Sequence, residues 1–369
     1  MTSINIGIIG CGNISSAYLR TVNAFPVLKC VALADVDVER AKSKAAEFGV
    51  ANADSVSQIL DRKEVDLIVN LTTPQSHYEI AMRAIESGKH VYNEKPLTVT
   101  VEQARTMLDA ADKANVRIGC APGTFIGAGL QTCRALIDAG EIGEPIAASA
   151  FMMCRGHESW HPDPEFYYKV GGGPMMDMGP YYITALISLL GGIERVSGSA
   201  SVAIPQRTIT SQQKHGQLID VETPDHIAGV IDFASGAIAT IVTSFAIMHS
   251  SFTPIQIFGT EGTLWVPDPN SLGGPVKIQR AGENHPVEVE LSRSHSDGGN
   301  QWGIGVADLA QAILSGRPHR ASGDLAFQVL RTMHGFLDSA KSGVAVNIGG
   351  SPELPAPVPA GLSESEMDD

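Results

Sequence analysis

Short blocks of apolar residues alternate with segments of helical periodicity along the first third of the chain. Blocks of roughly four to eight apolar residues are typical of buried strands, and apolar positions three or four apart are typical of helices. The pattern predicts strands over 4–9, 28–34, 65–72, 90–93 and 117–120, and helices over 16–23, 38–48, 77–87 and 101–114. This alternation indicates βαβ units, so we expect an α/β fold with a parallel, doubly wound Rossmann sheet.

Beyond residue 122 the pattern changes to strands of β-branched and small residues with few helices between them. We expect strands over 146–153, 196–203, 227–233, 237–245, 255–258 and 263–266, and helices over 130–139, 180–190, 302–314 and 323–342. Such a distribution indicates an α+β domain with a large, mostly antiparallel open sheet. The predicted domains are 1–122 and 123–350, followed by an acidic, proline-rich tail over 351–369 that is extended or disordered.

A glycine-rich turn joins the first predicted strand to the first predicted helix. Gly10 permits a tight turn, and Gly12 lets the main chain approach a pyrophosphate, which the free N–H groups of the helix N-terminus would bind. Ser15 replaces the third glycine of the GxGxxG pattern with another small residue. Because the turn stands between a strand and a helix, it predicts a dinucleotide site.

An aspartate ends the second predicted strand, where it would accept hydrogen bonds from a ribose diol. This residue, Asp35, favours NAD over NADP, and the nearby Asp37 would also repel a 2′-phosphate. Arg40 is close in sequence, but we expect it to pair with Asp37 and Glu39.

Lys95 follows the short apolar strand predicted over 90–93. Pro96 pushes the main chain of Lys95 away from helical angles, so the ammonium group lies at the carboxyl end of the strand, where open sheets bind ligands. Most lysines are solvated surface charges, so Lys95 alone identifies no site. Its position after the dinucleotide motif makes it a candidate.

The densest polar stretch of the chain runs over 155–169 and is followed by three glycines at 171–173. Asp177 and Tyr181 come next, four residues apart, and share a face if both are helical. A carboxylate beside a phenol forms a proton-transfer group when an ammonium is supplied from elsewhere. The alternative is that Asp177 caps a helix beginning near Met178 and that Tyr181 only fills space.

Charge and cysteine usage exclude several classes of function. A net charge of −14 argues against a nucleic-acid surface and an anionic membrane as partners. Five cysteines without CxxC spacing predict reduced thiols in a cytoplasmic compartment and no structural zinc. His157, Glu158, His161 and Asp163 could be considered as metal ligands, but the neighbouring prolines argue against a helix, so we expect no metal.

Several motifs in this order resemble the Gfo/Idh/MocA family of NAD(P)-dependent oxidoreductases. They are Gly10-Cys11-Gly12-Asn13-Ile14, Thr73-Pro74 with His77, Gly88-Lys89-His90-Val91, Glu94-Lys95-Pro96, and Gly171-Gly172-Gly173 with Asp177-Met178-Gly179. The resemblance implies a Rossmann domain joined to a domain whose open sheet is buried in a homodimer or homotetramer. It also implies that the cofactor is bound by Gly10, Gly12, Asn13, Ile14, Asp35, Thr72, Thr73, Pro74, His77, Glu94 and Lys95.

One departure from the family pattern concerns the proton-transfer residue. Many members carry a histidine where this chain has Tyr181, and an aspartate where it has Thr184. The chain is more similar in this respect to glucose–fructose oxidoreductase and to the dimeric dihydrodiol and xylose dehydrogenases, in which a tyrosine is the acid/base.

The combined interpretation is an NAD-dependent dehydrogenase acting on a secondary hydroxyl or hemiacetal of a sugar or related polyol. Lys95 would bind the reacting oxygen, Tyr181 would exchange its proton, and Asp177 would orient the pair. His157, Trp160, His161 and Tyr167 are candidate sugar contacts. Two alternatives remain open: an enzyme that keeps its NAD and cycles it internally, and a sensor without catalysis.

Overall fold

The amino-terminal part is a parallel sheet with helices between its strands in the computed structural model, which describes residues 3–296, 302–350 and 354–368. The strands are β1 (Ile4–Ile9), β2 (Leu28–Ala34), β3 (Asn52–Asp54), β4 (Leu67–Asn70), β5 (His90–Asn93) and β6 (Ile118–Cys120). The helices are α1 (Ser15–Ala24), α2 (Val38–Phe48), α3 (Val56–Asp61), α4 (Pro74–Glu86) and α5 (Val101–Ala114).

The order of strands in this sheet is β3-β2-β1-β4-β5-β6, and the pairing is parallel throughout. The chain therefore winds in opposite directions on the two sides of the β1–β4 pair. All four residues of β4 are buried, as expected of a strand covered by helices on both faces. The doubly wound sheet is confirmed, and its ligand crevice lies at the carboxyl ends of β1 and β4.

The second part of the chain is built on nine strands in the order β16-β15-β14-β13-β7-β12-β11-β8-β17. Only the β7–β12 pair is parallel, so the prediction of a large, mostly antiparallel sheet is confirmed. A separate two-stranded hairpin is formed by β9 and β10. The strands are β7 (Pro145–Met153), β8 (Ile193–Ser201), β9 (Gln206–Thr208), β10 (Leu218–Asp220), β11 (His226–Phe233), β12 (Ile238–Ser244), β13 (Ile255–Gly259), β14 (Gly262–Val266), β15 (Val276–Arg280), β16 (Val287–Val289) and β17 (Val346–Asn347).

Helices α6 (Ala128–Asp138), α7 (Pro174–Leu190) and α9 (Gly323–Ser342) cover one face of the large sheet, where α9 packs on β8 and α7 packs on β12 and α9. Helix α8 (Ile304–Ser315) instead packs against β6 of the parallel sheet. Ala239 and Ile241 of β12 point into this core, whereas Ile238 and Thr240 point to the opposite, exposed face. Within the described ranges, no helix is both long enough and apolar enough to cross a membrane.

The two parts of the chain are joined through the end of β6. The Cys120 N–H donates to Ala321 O at 3.0 Å, and Gly119 forms a β-bridge with Ser322 just before α9. His334, within α9, lies 3.1 Å from Val99 O through its Nε2 atom. These contacts set the position of α7, which packs on α9, relative to the carboxyl ends of the parallel strands.

The tail forms neither helix nor strand over 354–368, yet it is packed against the rest of the protein. Val358 is fully buried and its N–H donates to Gln131 Oε1 at 2.8 Å. Asp368 pairs with Arg317 at 2.7 Å. The described part of the tail is therefore extended, which is one of the two predicted possibilities. Its contacts at Val358 and Asp368 hold it against the rest of the protein.

Candidate active site

Lys95 is presented by the loop that leaves β5 beside the crevice. The Glu94 N–H donates to Asn70 O at 2.9 Å, which extends the pairing of β5 with β4 by one residue. His77 joins the two loops, because its Nδ1 lies 2.7 Å from Pro96 O and its Nε2 lies 3.0 Å from Thr72 O. The ring of His77 is fully buried, so it acts on the site by holding these loops together.

The ammonium of Lys95 contacts the first turn of α7. Its Nζ lies 2.7 Å from Asp177 Oδ1 and 2.8 Å from Asp177 O. A lysine ammonium has three N–H donors, so one donor remains after these two bonds. The side chains of Lys95 and Asp177 are 18% and 17% exposed, so the remaining donor can be reached by a small molecule.

Both members of this ion pair are charged at neutral pH. Burial would lower the pKa of the Lys95 ammonium, but the charges of Asp177, Tyr181 and Glu94 outweigh it, and the pKa is raised. Burial would likewise raise the pKa of the Asp177 carboxyl, but the Lys95 charge and the hydrogen bond from His157 hold it below its usual value. The position of Asp177 in the first turn of a helix also favours its negative charge.

Tyr181 lies one turn further along α7, as the spacing from Asp177 predicted. Its ring centroid is 5.4 Å from Lys95 Nζ and 6.2 Å from the ring centroid of Trp302. Burial raises the pKa of the Tyr181 phenol, and the Lys95 charge offsets part of the rise. Its hydroxyl makes no hydrogen bond to any described residue. Both Asp177 and Tyr181 lie within the helix, so Asp177 does not cap it.

His157 reaches the same carboxylate from the segment after β7. Its Nε2 lies 3.3 Å from Asp177 Oδ2, and its ring is surrounded by aromatic rings. The ring centroids of Tyr167, Phe245 and Trp160 lie 4.3, 4.5 and 5.1 Å from that of His157. Burial and the charge of Asp177 raise the pKa of Tyr167 to about 12, so it is a neutral phenol at pH 7.

The remaining predicted sugar contacts lie at the outer edge of this group. Trp160 is 61% exposed, and His161 lies between Trp160 and Tyr167, with ring centroids 5.4 and 5.3 Å away. The His161 Nδ1 accepts a hydrogen bond from the Asp163 N–H at 3.0 Å. The structure therefore brings His157 and Tyr167 to the Lys95–Asp177 pair, and places Trp160 and His161 one layer further out.

The three glycines before α7 allow close passage of the main chain past the 3₁₀ turn at Glu165–Tyr168. A Cβ atom at Gly172 would lie 2.5 Å from Phe166 O, and the Gly173 N–H donates to Tyr167 O at 2.7 Å. Their role is thus to bring Tyr167 close to the first turn of α7.

The glycine turn after β1 fits a pyrophosphate. Gly10 has φ +101° and packs against the main chain of Leu71, where a Cβ atom would lie 2.6 Å from Leu71 O. Gly12 differs, because a Cβ atom there would meet nothing within 4 Å. Helix α1 begins without a side-chain cap, and although the Ser15 and Ala17 N–H groups donate to Gly12 O and Ile14 O, the Ser16 N–H in its first turn remains available to an anion. The open space above Gly12 and Asn13 is where such an anion would lie.

Asp35 is buried at the end of β2 with both oxygens oriented by main-chain N–H groups. Cys11 N–H donates to Oδ2 at 2.8 Å, and Asp37 N–H donates to Oδ1 at 2.9 Å. The expectation for Arg40 was wrong in one respect, because its guanidinium lies 3.7 Å from Asp35 and 3.6 Å from Asp37, whereas Glu39 pairs with Lys42. A cation therefore lies beside the carboxylate that is predicted to bind the ribose.

The other predicted cofactor contacts border the same crevice. Ile14 is exposed on the glycine turn, Thr73 is exposed at the start of α4, and Pro74 is the first residue of that helix. Thr72 is partly buried, and its hydroxyl donates to Asn70 Oδ1 at 2.7 Å. Glu94 accepts from Tyr18 Oη at 2.7 Å, a contact that the sequence did not predict because Tyr18 lies on the buried face of α1.

Comparison of the sequence with models of known protein families shows which family the chain belongs to. A model described as an oxidoreductase family with an NAD-binding Rossmann fold matches residues 4–121, and a model of the GFO/IDH/MocA C-terminal domain matches residues 130–265. The chain belongs to the GFO/IDH/MocA oxidoreductase family. The resemblance seen in the sequence is confirmed, as are the oxidoreductase class and NAD as cofactor.

Individual members of the GFO/IDH/MocA family that resemble this chain act on carbohydrates according to their names. Levoglucosan dehydrogenase from Pseudarthrobacter phenanthrenivorans is 27% identical over 291 residues, covering 72% of this chain and 73% of the relative. A 1,5-anhydro-D-fructose reductase from Ensifer adhaerens is 28% identical over 316 residues, covering 84% and 85%. A solved NAD-binding oxidoreductase from Klebsiella pneumoniae has a TM-score of 0.82 and 26% identity, covering 95% of this chain and all of the other, 100%.

When NAD is bound, its nicotinamide ring supplies the hydride acceptor or donor of this oxidoreductase. The glycine turn and Asp35 would hold the two ends of the adenosine diphosphate portion, since they offer N–H donors to phosphate and a carboxylate to the ribose.

The two glycines of the turn have separable effects. Gly10→Ala should lower the free energy of unfolding by about 3 kcal/mol, because the residue must keep a positive φ and its methyl group would meet the main chain of Leu71. Gly12→Ala, the matched control, should change stability by less than about 1 kcal/mol yet weaken NAD binding about tenfold or more. Chemical denaturation and NAD titration of both variants test this. Unchanged NAD affinity in Gly12→Ala would place the pyrophosphate elsewhere.

Proposed function

We propose that this protein is an NAD-dependent dehydrogenase of a sugar or sugar-derived polyol, which transfers hydride between a secondary hydroxyl or hemiacetal carbon and nicotinamide C4. The observation that carries the proposal is the single N–H donor of Lys95 that remains after its two bonds to Asp177, at the end of the cofactor crevice. The carbohydrate names of the relatives support the substrate class.

Lys95 would bind the reacting oxygen through this donor. Because its ammonium stays charged next to Asp177, it stabilises the negative charge that develops on the oxygen as the hydroxyl proton leaves. Lys95 cannot serve as the base, since its pKa is raised. Asp177 is a positioning residue, which fixes the ammonium and orients His157.

Tyr181 would exchange the proton of the reacting hydroxyl. Its own hydroxyl is free of described partners, and its ring lies beside the Lys95 ammonium, which favours the phenolate form needed during oxidation. In the direction of reduction the neutral phenol is already the correct form, because burial raises its pKa. Tyr181 therefore serves as a base for oxidation and as an acid for reduction.

His157 and Tyr167 would contact the substrate on the side opposite to the cofactor. Both are partly enclosed, and each offers a polar atom next to an apolar ring surface, which suits a molecule with hydroxyl groups around an apolar ring. Trp160 and His161 would extend this surface outward.

We also infer that the protein forms a homodimer or homotetramer through the exposed face of the large sheet. Apolar side chains that point away from the helices include Val230 at 38% and Ile238 at 52% exposure. Phe151 and Val242 are neighbours on adjacent strands of the same face. Thr240 and Ser149 lie between these apolar side chains, and an exposed sheet face that combines apolar and small polar residues is suited to an oligomer interface.

A double-mutant cycle tests the proton-transfer pair. Lys95→Ala and Tyr181→Phe should each reduce turnover about a hundredfold or more, and the double variant should lose little further, because the two residues act as a unit. NAD affinity should barely change in Tyr181→Phe. If Tyr181 only fills space, phenylalanine will preserve most of the turnover, and this outcome would refute its assignment. Thermal melts of the same samples control for misfolding.

The preference for NAD or NADP depends on two opposite charges near the expected ribose position: Asp35 repels a 2′-phosphate, and Arg40 attracts it. The wild-type protein should bind NAD about a hundredfold more tightly than NADP, because Asp35 repels a 2′-phosphate. Asp35→Ser should weaken NAD binding and strengthen NADP binding, since the repelling carboxylate is removed and Arg40, which then keeps only its pairing with Asp37, can bind the phosphate. Adding Arg40→Ala should remove the gain for NADP. Fluorescence titration with both nucleotides measures this, and equal or tighter NADP binding by the wild type would contradict it.

The proposed interface predicts a mass in solution that is two or four times 38.9 kDa. Ile238→Lys should lower that mass, because it introduces a charge into the apolar face. Val344→Lys, which alters another exposed apolar residue in the turn between α9 and β17, should leave it unchanged. Light scattering coupled to size exclusion measures the masses. A wild-type monomer would disprove the inference.

A further inference from the structure

A cleft opens beside Trp160, between the segment that follows β7 and the β9–β10 hairpin. Its volume is about 370 Å³, near the small end of the range for ligand pockets, which is roughly 300–1,000 Å³. One wall carries Ser159, Trp160 and Pro162, and the other carries Thr210, Gln212 and Gln213. Of these residues, the function proposed above uses only Trp160.

The two walls are held together by a buried ion-pair network. Arg207 of β9 has a side chain only 2% exposed, and its guanidinium bonds Glu158 at 3.0 Å and Asp225 at 2.8 Å. The N–H groups of Thr210 and Ser211 donate to Glu158 O at 2.9 and 3.0 Å. Because these groups are desolvated, separating the walls would leave charges unpaired. The cleft is therefore preformed.

The side chains that line the cleft are uncharged. They offer amide and hydroxyl groups around an indole ring that is 61% exposed, a combination that suits a neutral ring bearing hydroxyl groups and a face of C–H bonds. Lys214, next to the cleft in sequence, is engaged by Asp163 and Glu165. Arg155 at the rim donates to the Ser159 hydroxyl at 3.0 Å.

The cleft adjoins the reacting centre through a single side chain. His157 contacts Asp177 on one side, at 3.3 Å, and the Trp160 ring on the other, at a centroid distance of 5.1 Å. A molecule that binds Lys95 with one ring and continues past His157 would reach Trp160 with its next ring.

We propose that this cleft binds the second ring of a neutral glycoside, so that the substrate is a disaccharide or a similar glycoside whose first ring is oxidised at Lys95. The second ring packs against the Trp160 indole, and its hydroxyl groups bond the side-chain amides of Gln212 and Gln213. This inference rests on the proposed dehydrogenase function and extends it to a substrate class.

The test compares NAD reduction by the full-length protein with D-glucose and D-galactose, their methyl glycosides, and the disaccharides cellobiose, maltose and lactose. At least one disaccharide should show a kcat/KM about tenfold or more above that of the matching methyl glycoside. Gln212→Ala combined with Gln213→Ala should remove this advantage by raising KM, and should leave the methyl glycoside within twofold of the wild-type value. Trp160→Ala should also remove the advantage, whereas Trp160→Phe should keep part of it, because phenylalanine retains an aromatic face.

Binding is followed separately by tryptophan fluorescence, since Trp160 is one of three tryptophans. The active disaccharide should change the emission of the wild type more than the matching methyl glycoside does, and this difference should disappear in Trp160→Phe, which keeps Trp302 beside Tyr181. Methyl glycosides and disaccharides that react equally well, or a Gln212→Ala, Gln213→Ala variant that keeps the advantage for the disaccharide, would overturn the second-ring site and leave the dehydrogenase function standing. If no sugar of either kind reduces NAD, the proposed function fails, and the inference falls with it.

Discussion

The ion pair between Lys95 and Asp177 is the interaction on which the site depends. It joins the loop after β5 of the parallel sheet to the first turn of α7, which packs on the large sheet. The two residues are 82 positions apart in the chain. Both groups are mostly removed from water, so loss of either partner would leave an unpaired charge at a cost of about 3–5 kcal/mol. The pair therefore fixes the relation of the two parts and holds the ammonium where a substrate can reach it.

The surrounding residues follow from where the backbone elements end. The carboxyl ends of β1, β4 and β5 bring the glycine turn, the Thr72 loop and Lys95 to one edge of the sheet. Across the crevice, the glycines before α7 admit the turn that carries Tyr167, and His157 reaches Asp177 from the segment after β7. Cofactor and substrate groups thus come from different parts of the chain.

Much of this arrangement could be predicted because it is local in sequence. The bounds predicted for β1, β2, α2, α5 and α9 agree with the structure, since apolar periodicity and glycine or asparagine caps define them. Helix α7 was predicted to begin at Pro180 but begins at Pro174, because a proline is favoured in a first turn and both positions satisfied that rule. Short elements such as β3, α3 and the β9–β10 hairpin were not predicted. Strands of three residues and a helix of six residues are too short to show a clear apolar periodicity.

What could not be predicted depends on contacts between distant residues. The pairing of Arg207 with Glu158 spans 49 residues and has no periodic pattern. The contact of Val358 with Gln131 of α6 is equally distant in sequence. The proline and acidic residues of the tail predict its extended form, but they carry no information about the part of the protein against which it packs. Asp177 and Tyr181 were singled out by spacing, but their meeting with Lys95 required the fold.

The most direct measurement is a crystal structure of the protein with NAD and a sugar that it turns over. The account predicts that the reacting hydroxyl lies within hydrogen-bond distance of both Lys95 Nζ and Tyr181 Oη, while Asp177 keeps its contact with the ammonium. The carbinol carbon should then lie roughly 3–3.5 Å from nicotinamide C4. A sugar whose reacting hydroxyl is bound by His157, with Lys95 and Tyr181 out of reach, would contradict the central claim.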